Sequence, residues 1–366
     1  MKKILFLVNH DITIYNFRKE LVFELLSKNF EIYICCPQGD KINKLKDIGV
    51  KHIEINVDRH GKNIFRDFML VKDYLKILKK IKPDVVLTYT IKPNIYGGIV
   101  SRITNTPYIT TITGLGKSFQ GGKLSRLFYL TLYKLSLKKS KKIFVQNSHN
   151  YSVFYDNKIN KYNLQLIPGS GVNVDIFKYT KPNDNCIRNF VFSSRVMKDK
   201  GIIEFLKAAE TIKKRYSNVE FHVCGFIDED LDDLINEYVD KKIIIYHGFV
   251  SNMIEFMSKM DCLVHPSYHE GMANVILEAA AMGMFVIASN IPGCKEAIDD
   301  GKNGYLFEVK NVDMLIDKIE KYLDIPNDVI EKMSVYGRNK MEKEFDRSII
   351  VRDYMYTIDN IIKEDK

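Results

Sequence analysis

Short apolar segments typical of buried β-strands alternate with amphipathic segments typical of helices along nearly the whole chain. This alternation is typical of βαβ units, in which parallel strands form a sheet and helices cover its faces. The strand-like segments form two series. The first contains 4–8, 31–35, 52–55, 85–88, 108–112 and 142–146, and the second contains 190–193, 219–224, 243–246, 262–265, 285–288 and 305–307.

A polar, turn-rich connection at 178–188 separates the two series. It predicts an N-terminal domain of residues 1–177 and a C-terminal domain of residues 178–346, which suits a chain of 366 residues. The periodic tail predicts a closing helix, and we expect residues 347–366 to pack back on the N-terminal domain. The predicted fold class is α/β, with two Rossmann-like parallel-sheet domains facing a central cleft.

Composition excludes several classes of protein. The six cysteines are scattered without zinc or redox spacing, so we expect reduced thiols in the cytoplasm. No stretch approaches 18 uninterrupted apolar residues, and the first apolar run ends too early for a signal peptide. The net charge of +9 favours anionic partners, but no nucleic-acid motif accompanies it, so we expect no nucleic acid.

Neither series has a G-x-G-x-x-G sequence after its first strand, and a Walker-type loop is also absent. Nicotinamide and flavin dehydrogenases use that glycine-rich turn to approach the pyrophosphate of their cofactor. The sequence therefore disfavours a dehydrogenase.

Glu270 and Glu278 flank a segment that begins with small residues and continues as an apolar helix. A helical rise would place them roughly 12 Å apart, whereas a retaining glycosidase needs carboxyl groups about 5–5.5 Å apart. The amides of Gly271, Met272 and Ala273, at the start of this helix, would instead meet phosphate or sugar oxygens. Two unrelated surface acids are the alternative, although a strand directly before them favours a ligand site.

Basic residues follow the first strand of the second series. Arg195 offers a planar fork of donors and Lys200 a point charge, a combination that can hold a diphosphate. A solvated basic loop is the alternative. Phe249 follows the third strand and either presents its ring to a nucleobase or packs in an ordinary turn. His265 and His269 lack a third ligand at metal-site spacing, so we expect them to pack or to line the cleft.

Two loops of the N-terminal domain also follow predicted strands. One contains Tyr15, Asn16 and Arg18, and the other begins with Thr113 and Gly114. We expect both to face the cleft, where glycine permits close backbone approach, although simple turn chemistry also explains them.

The segment 124–142 has apolar residues on more than one helical face and ends with Lys138, Lys139, Lys141 and Lys142. Cations at a helix C-terminus complement the helix dipole. The same pattern suits a helix that contacts anionic lipid. Both interpretations stay open.

In combination, the Glu270-x7-Glu278 spacing, the Arg195…Lys200-Gly201 pair and the two Rossmann-like halves resemble the retaining glycosyltransferases of the GT-B fold, family 4 group. The segments 15–18, 88–97 and 112–116 look like those of bacterial enzymes that extend a lipid-diphosphate-linked sugar in capsule, O-antigen or glycan assembly. Thr113 stands where many relatives have a histidine that contacts the donor sugar.

This resemblance implies retaining transfer of a hexose or N-acetylhexosamine from a nucleotide diphosphate, UDP by the same likeness. The acceptor would be a polyprenyl-diphosphate-linked sugar at the inner face of the plasma membrane. Arg195 and Lys200 would hold the donor diphosphate, and with Glu270 they form the catalytic set. The donor site would comprise Arg195, Lys200, Phe249, Glu270, Gly271, Met272, Ala273, Asn274 and Glu278, and the acceptor site Tyr15, Asn16, Arg18, Thr113 and Gly114.

We expect no cofactor and no essential metal, because two cations are available to stabilise the departing diphosphate. The D-x-D spacing from Asp228 to Asp230 is the alternative device, but its acids more simply complement a helix dipole. A nucleotide-sugar epimerase of similar architecture is the main alternative function. A non-enzymatic carbohydrate- or lipid-binding subunit is the other.

Overall fold

The computed structural model describes residues 1–57, 64–116, 119, 122–182 and 187–364. The chain divides into two compact units, Met1–Ser170 with Arg347–Lys366 (the N-terminal unit) and Gly171–Asp346 (the C-terminal unit). Residues 171–177 belong to the C-terminal unit because Val172 pairs with Asp346 and its amide donates to the Phe345 carbonyl at 2.8 Å. The domain boundary therefore precedes the predicted position at 177/178.

The N-terminal unit contains a seven-stranded parallel sheet in the order β3-β2-β1-β4-β5-β6-β7. Its strands are β1 (Lys3–Leu7), β2 (Glu31–Cys36), β3 (Lys51–Glu54), β4 (Val85–Tyr89), β5 (Tyr108–Ile112), β6 (Lys142–Val145) and β7 (Leu164–Leu166). The central strands β4 and β5 are buried along their whole length, as expected of a sheet covered on both faces.

The C-terminal unit contains a six-stranded parallel sheet in the order β10-β9-β8-β11-β12-β13. Its strands are β8 (Arg188–Ser193), β9 (Val219–Cys224), β10 (Ile245–Tyr246), β11 (Cys262–His265), β12 (Phe285–Ser289) and β13 (Gly304–Phe307). The strand order reverses between β8 and β11, and loops at such a point form the ligand crevice of open α/β sheets.

The helices lie between the strands, as the alternation predicts. They are α1 (Asp11–Phe17), α2 (Lys19–Ser27), α3 (Ile42–Asp47), α4 (Ile64–Ile81), α5 (Gly98–Ile103), α6 (Lys123–Leu137), α7 (Ser148–Asp156), α8 (Ile202–Arg215), α9 (Asp232–Asp240), α10 (Met253–Met257), α11 (Asn274–Ala281), α12 (Val312–Leu323), α13 (Asn327–Lys340) and α14 (Arg347–Glu364). The two parallel-sheet α/β domains are thus confirmed. Within the described ranges, no helix combines the length and apolarity needed to span a bilayer.

The closing helix α14 completes the core of the N-terminal unit. Its buried residues Ile350, Tyr354 and Ile358 share one apolar cluster with Phe6 of β1 and Leu87 of β4. The tail of the chain therefore belongs to the unit in which the chain begins.

Candidate active site

The loops that follow β8 and β11 pack directly against each other. Gly201 has a φ of 77°, and a Cβ added there would lie 2.1 Å from the carbonyl oxygen of Pro266. No side chain fits at that position without moving the backbone. This close approach places Lys200, next to Gly201, beside the loop that carries Glu270.

Glu270 is the centre of a buried charge cluster. The Nζ of Lys200 donates to Glu270 Oε1 at 2.6 Å, and His265 Nε2 lies 2.9 Å from the same oxygen. The Glu270 side chain is only 11% exposed. Burial alone would raise the pKa of Glu270, but the His265 hydrogen bond and the Lys200 charge lower it to about 2. The carboxylate is therefore ionised at neutral pH and accepts a hydrogen bond from His265 Nε2–H.

A third loop, after β12, holds the backbone of Glu270. Gly293 has a φ of 90°, and a Cβ added there would lie 2.8 Å from Glu270 Cβ and 2.9 Å from its carbonyl oxygen. The Gly293 carbonyl also accepts the amide of Ala273 at 2.8 Å. Three loops at the carboxyl edge of the sheet thus position one carboxylate.

The expectation that Ala273 offers a free amide to a ligand is wrong, because that amide bonds Gly293. The helix begins at Asn274 rather than near Gly271, and Met272 and Ala273 are buried in an apolar cluster. The amides of Asn274 and Val275 lie in the first turn of α11, where a helix offers its own amides no acceptor. These two amides replace that of Ala273 as candidate ligand donors, and the role of the Met272 amide stays a prediction.

Arg195 follows β8 and pairs with Asp228, and both side chains are partly exposed. Glu229 accepts the amide of Lys198 at 3.0 Å. Two of the acids in the D-x-D segment thus have protein partners ahead of α9. Across the described part of the chain, no three His, Cys, Asp or Glu residues cluster closely enough to hold a metal.

Phe249 is 77% exposed, which contradicts the interpretation of a packed phenylalanine in an ordinary turn. Gly248, with a φ of 61°, precedes it, and the Gly248 carbonyl accepts the Gly225 amide at 2.8 Å. His247, which directly precedes this turn, is held in place by His222, since His222 Nδ1 and His247 Nε2 lie 3.0 Å apart. Burial and the charge of His247 lower the pKa of His222 to about 4.

Glu278 lies on α11 and is partly exposed, whereas Glu270 lies in the loop before that helix. The structure therefore assigns the two carboxylates to different surroundings. The predicted roles of both residues toward a ligand stay predictions.

The prediction that Arg18 binds an acceptor is wrong, because Arg18 is only 2% exposed. Its guanidinium carbon lies 5.1 Å from the ring centroid of Tyr89 and 5.7 Å from that of Tyr354. Its Nη1 donates to the Phe17 carbonyl at 2.6 Å. The side chain therefore stabilises the core beneath α14 and does not reach the surface.

The other predicted acceptor residues lie at or near the surface of the N-terminal unit. Tyr15 is partly exposed and Asn16 is exposed on the first helical segment after β1. Thr113 and Gly114 follow β5 and are partly exposed. Their roles toward a ligand also stay predictions.

The four lysines after α6 do not form one exposed group. Lys138 and Lys139 are exposed, but Lys141 pairs with Glu364 at 2.7 Å and Lys142 is the partly buried first residue of β6. Tyr133, an aromatic residue of the same helix, is fully buried.

Instead, α6 exposes an apolar stripe, consisting of Leu124, Leu127, Phe128 and Leu135. These residues recur at the helical spacing that places side chains on one face. The sequence predicted apolar residues on more than one face of this helix but not which of them stay exposed, because buried residues lie between the exposed ones.

Sequence comparison identifies two family models in this chain. Residues 3–147 match the glycosyl transferase 4-like model, and residues 175–340 match the model of glycosyl transferases group 1. The matches correspond to the two sheet-containing units.

Three bacterial glycosyltransferases match most of the chain. A Campylobacter jejuni N,N'-diacetylbacillosaminyl-diphospho-undecaprenol alpha-1,3-N-acetylgalactosaminyltransferase is 27% identical over 98% of each chain. The Staphylococcus aureus capsular polysaccharide biosynthesis glycosyltransferase CapM is 26% identical over 99% of this chain and 98% of its own. An Escherichia coli UDP-Gal:alpha-D-GlcNAc-diphosphoundecaprenol alpha-1,3-galactosyltransferase is 25% identical over 88% of this chain and 87% of its own.

Solved structures share the fold. A glycosyltransferase from Rickettsia africae superposes with a TM-score of 0.80 at 22% identity and covers 99% of both chains. Anabaena Alr3699/HepE superposes with a TM-score of 0.79 at 16% identity, over 98% of this chain and 100% of its own.

Proposed function

Because the chain belongs to the GT-B glycosyltransferases, we propose that it transfers a hexose or N-acetylhexosamine from UDP to a polyprenyl-diphosphate-linked sugar, with anomeric retention. The names of the C. jejuni and E. coli relatives specify a diphospho-undecaprenol acceptor and an alpha linkage. The common UDP-hexoses carry the sugar in the α configuration, so an α product corresponds to retention. The family models and relatives described above give an epimerase no support.

The observation that carries this proposal is the cluster of Lys200, Glu270 and His265 at the point where the strand order reverses. An ammonium group has three donors, so Lys200 can bond Glu270 and still donate to a phosphate oxygen. Glu270 is ionised and can only accept, so its free lone pairs suit the hydroxyl groups of a sugar. One cluster can thus hold a diphosphate and the sugar attached to it.

The same geometry makes Glu270 a poor general acid, since a carboxyl group with a pKa of about 2 has no proton to give at neutral pH. We therefore assign the proton transfer to the donor itself. The acceptor hydroxyl attacks the anomeric carbon from the face that UDP leaves, and a leaving phosphate oxygen takes the hydroxyl proton. Arg195 and Lys200 stabilise the negative charge that develops on the diphosphate.

Exposed and partly exposed side chains of the C-terminal unit suit the remaining contacts to the donor. We assign the nucleobase to the exposed ring of Phe249 and the ribose to Glu278 on α11. The amides of Asn274 and Val275 would reinforce the binding of donor oxygens at the start of that helix. This scheme needs no metal, so activity should persist in excess EDTA.

We further propose that the enzyme works at the cytoplasmic face of the plasma membrane and contacts anionic lipid through α6. The exposed stripe of α6 offers apolar side chains, and Lys138 and Lys139 are exposed beyond its end. Between residues 123 and 142 the chain has seven basic residues and no acidic one, namely Lys123, Arg126, Lys134, Lys138, Lys139, Lys141 and Lys142. Each cation near an anionic surface contributes about 1 kcal/mol.

Vesicle flotation tests this contact. Replacing Leu127 and Phe128 with Ser, or Lys138 and Lys139 with Glu, should each reduce binding to anionic vesicles. High salt screens the charges, so the binding that remains at high salt should depend on Leu127 and Phe128. Charge reversal of Lys79 and Lys80 on α4 is the matched control. Equal flotation of all variants would remove α6 from the membrane contact.

The reaction is tested with a panel of UDP-sugars and a short prenyl-diphosphate-linked sugar, by the release of UDP. Lys200→Ala should lower kcat/KM by roughly 30- to 1000-fold, since one stabilising contact on the developing charge is worth about 2–4 kcal/mol. Lys198→Ala is the control, because that side chain is exposed two residues away. An isomerised donor without transfer would support an epimerase, and ligand binding without turnover would support a binding subunit.

A further inference from the structure

Three lysines surround the ring of Tyr15 at the carboxyl edge of the N-terminal sheet. The Nζ atoms of Lys19, Lys41 and Lys44 lie 5.1, 5.5 and 5.8 Å from the ring centroid. Tyr15 is on α1, which follows β1, whereas Lys41 and Lys44 lie at and in α3, which follows β2. Because β1 and β2 are adjacent parallel strands, the segments that follow them meet at one edge. We call these four residues the Tyr15 cluster.

The backbone on one side of the cluster is fixed by a buried acid. Asp11 is only 1% exposed, and its carboxylate accepts the amides of Lys41 at 2.7 Å and Ile12 at 2.8 Å. A Cβ added at Gly39 would lie 2.4 Å from that carboxylate. The segment that carries Lys41 is therefore held against the start of α1.

The other side is fixed by α14. Arg347 Nη1 donates to the Asn16 carbonyl at 2.9 Å and to the Glu20 carboxylate at 3.0 Å. These bonds bracket the turn between Tyr15 and Lys19. The buried Arg18 fixes the same turn from beneath, since its Nη1 bonds the Phe17 carbonyl.

The three ammonium groups form no ion pair in the part of the chain that the structure describes. None of them lies within 4 Å of a carboxylate there. Two nearby carboxylates are engaged, Asp11 with backbone amides and Glu20 with Arg347. The exposed Asp40 and Asp47, which flank Lys41 and Lys44 in sequence, form no ion pair with them. A tyrosine face attracts a cation but does not neutralise three of them. The cluster is therefore complementary to an anion that carries more than one charge.

We propose that the Tyr15 cluster binds the diphosphate of the lipid-linked acceptor, an inference that rests on the proposed function. A diphosphate between a prenyl chain and a sugar carries two negative charges, which three lysines balance and a single surface lysine does not. The cluster supplies the cations for this role that the buried Arg18 cannot supply. The nucleotide diphosphate of the donor has the same chemistry, so the test must separate these two sources.

The test is calorimetric binding of farnesyl diphosphate to the full chain, with farnesyl monophosphate, UDP and inorganic phosphate as parallel probes. In the variant K19Q/K41Q/K44Q, farnesyl diphosphate should bind about tenfold more weakly or worse, because charge-assisted contacts to phosphate are lost. UDP affinity should be unchanged, and hydrogen exchange of β1 and β4 in the N-terminal unit should match the wild type, which shows that the unit is folded. The variant K19R/K41R/K44R should retain binding.

The control variant K79Q/K80Q/K82Q removes the same charge from the exposed end of α4 and should bind like the wild type. Unchanged farnesyl diphosphate binding in K19Q/K41Q/K44Q would overturn the proposal. An equal loss of UDP binding would assign the cluster to the nucleotide instead, and equal affinity for inorganic phosphate would reduce it to an adventitious anion site. None of these outcomes depends on turnover, so a failure to transfer sugar would refute the proposed function separately.

Discussion

Glu270→Gln is the substitution that most directly tests the buried charge cluster. Glutamine keeps the shape of the side chain and the oxygen that accepts from Lys200 and His265, so only the negative charge is removed. We expect the variant to fold but to be less stable in its C-terminal unit. Removing one partner from a buried charge pair leaves the other without compensation.

The stability that Glu270→Gln should lose follows from the pKa of Glu270. The pKa of Glu270 falls from 4.5 to about 2 in the folded chain, which corresponds to about 3 kcal/mol, since each tenfold change in proton affinity is worth about 1.4 kcal/mol. Because the folded pKa is depressed, this stability is fully present above pH 4.5 and is lost as the pH falls toward 2. The difference between wild type and variant should therefore be constant from pH 8 to about 5.5 and about 1 kcal/mol smaller at pH 4.

Native-state hydrogen exchange in a urea series is the appropriate assay, because the chain has two units and its global unfolding need not be a single transition. Peptides from β11 and α11 report on the C-terminal unit alone. Other titrating groups such as His222 are common to both proteins and cancel in the difference.

Glu237→Gln provides the matched control. It breaks a half-exposed i,i+4 pair with Lys241 and should change the free energy of opening little. Equal stability of Glu270→Gln and wild type at pH 7 would refute the reasoning. A difference that stays the same or grows down to pH 4 would also refute it, because the charge of Glu270 would then not be its source.

Three further predictions concern the C-terminal site and the core of the N-terminal unit. Gly293→Ala should reduce the transfer rate at least about tenfold, measured from initial rates, because the new Cβ would displace Glu270 by steric overlap and the φ of 90° disfavours any side chain. Glu278→Gln should weaken calorimetric binding of free UDP, whereas Glu270→Gln should leave it nearly intact and depress transfer. Arg18→Ala should destabilise the N-terminal unit by about 2 kcal/mol or more without changing UDP affinity, as measured by hydrogen exchange and calorimetry.

The alternation of strands and helices was predictable because parallel strands that are buried on both faces read as continuous apolar runs. Val85–Tyr89 and Tyr108–Ile112 illustrate this. The edge strand Leu164–Leu166 escaped prediction because it has three residues, one of them Gln165. The positions of Lys200 and Glu270 were also predictable, since both follow strands of one parallel sheet.

What the sequence could not show depends on contacts between distant segments. Arg18 reads as a loop cation, but α14 returns to cover it with Tyr354. Ala273 reads as the start of a helix, but the loop after β12 brings the Gly293 carbonyl to its amide. His265 reads as a packing residue, and only the folded loop brings its Nε2 to Glu270. Local patterns carry no information about these pairings.

Same-face displacement is tested most directly by the anomeric configuration of the first product. A UDP-α-sugar that supports turnover is incubated with a prenyl-diphosphate-linked acceptor, and the new linkage is read by proton NMR before any secondary reaction. We predict an α-linked product that forms in the presence of EDTA, at a rate that Lys200→Ala lowers. A β-linked product would contradict the same-face displacement, since it requires attack from the opposite face and a separate base.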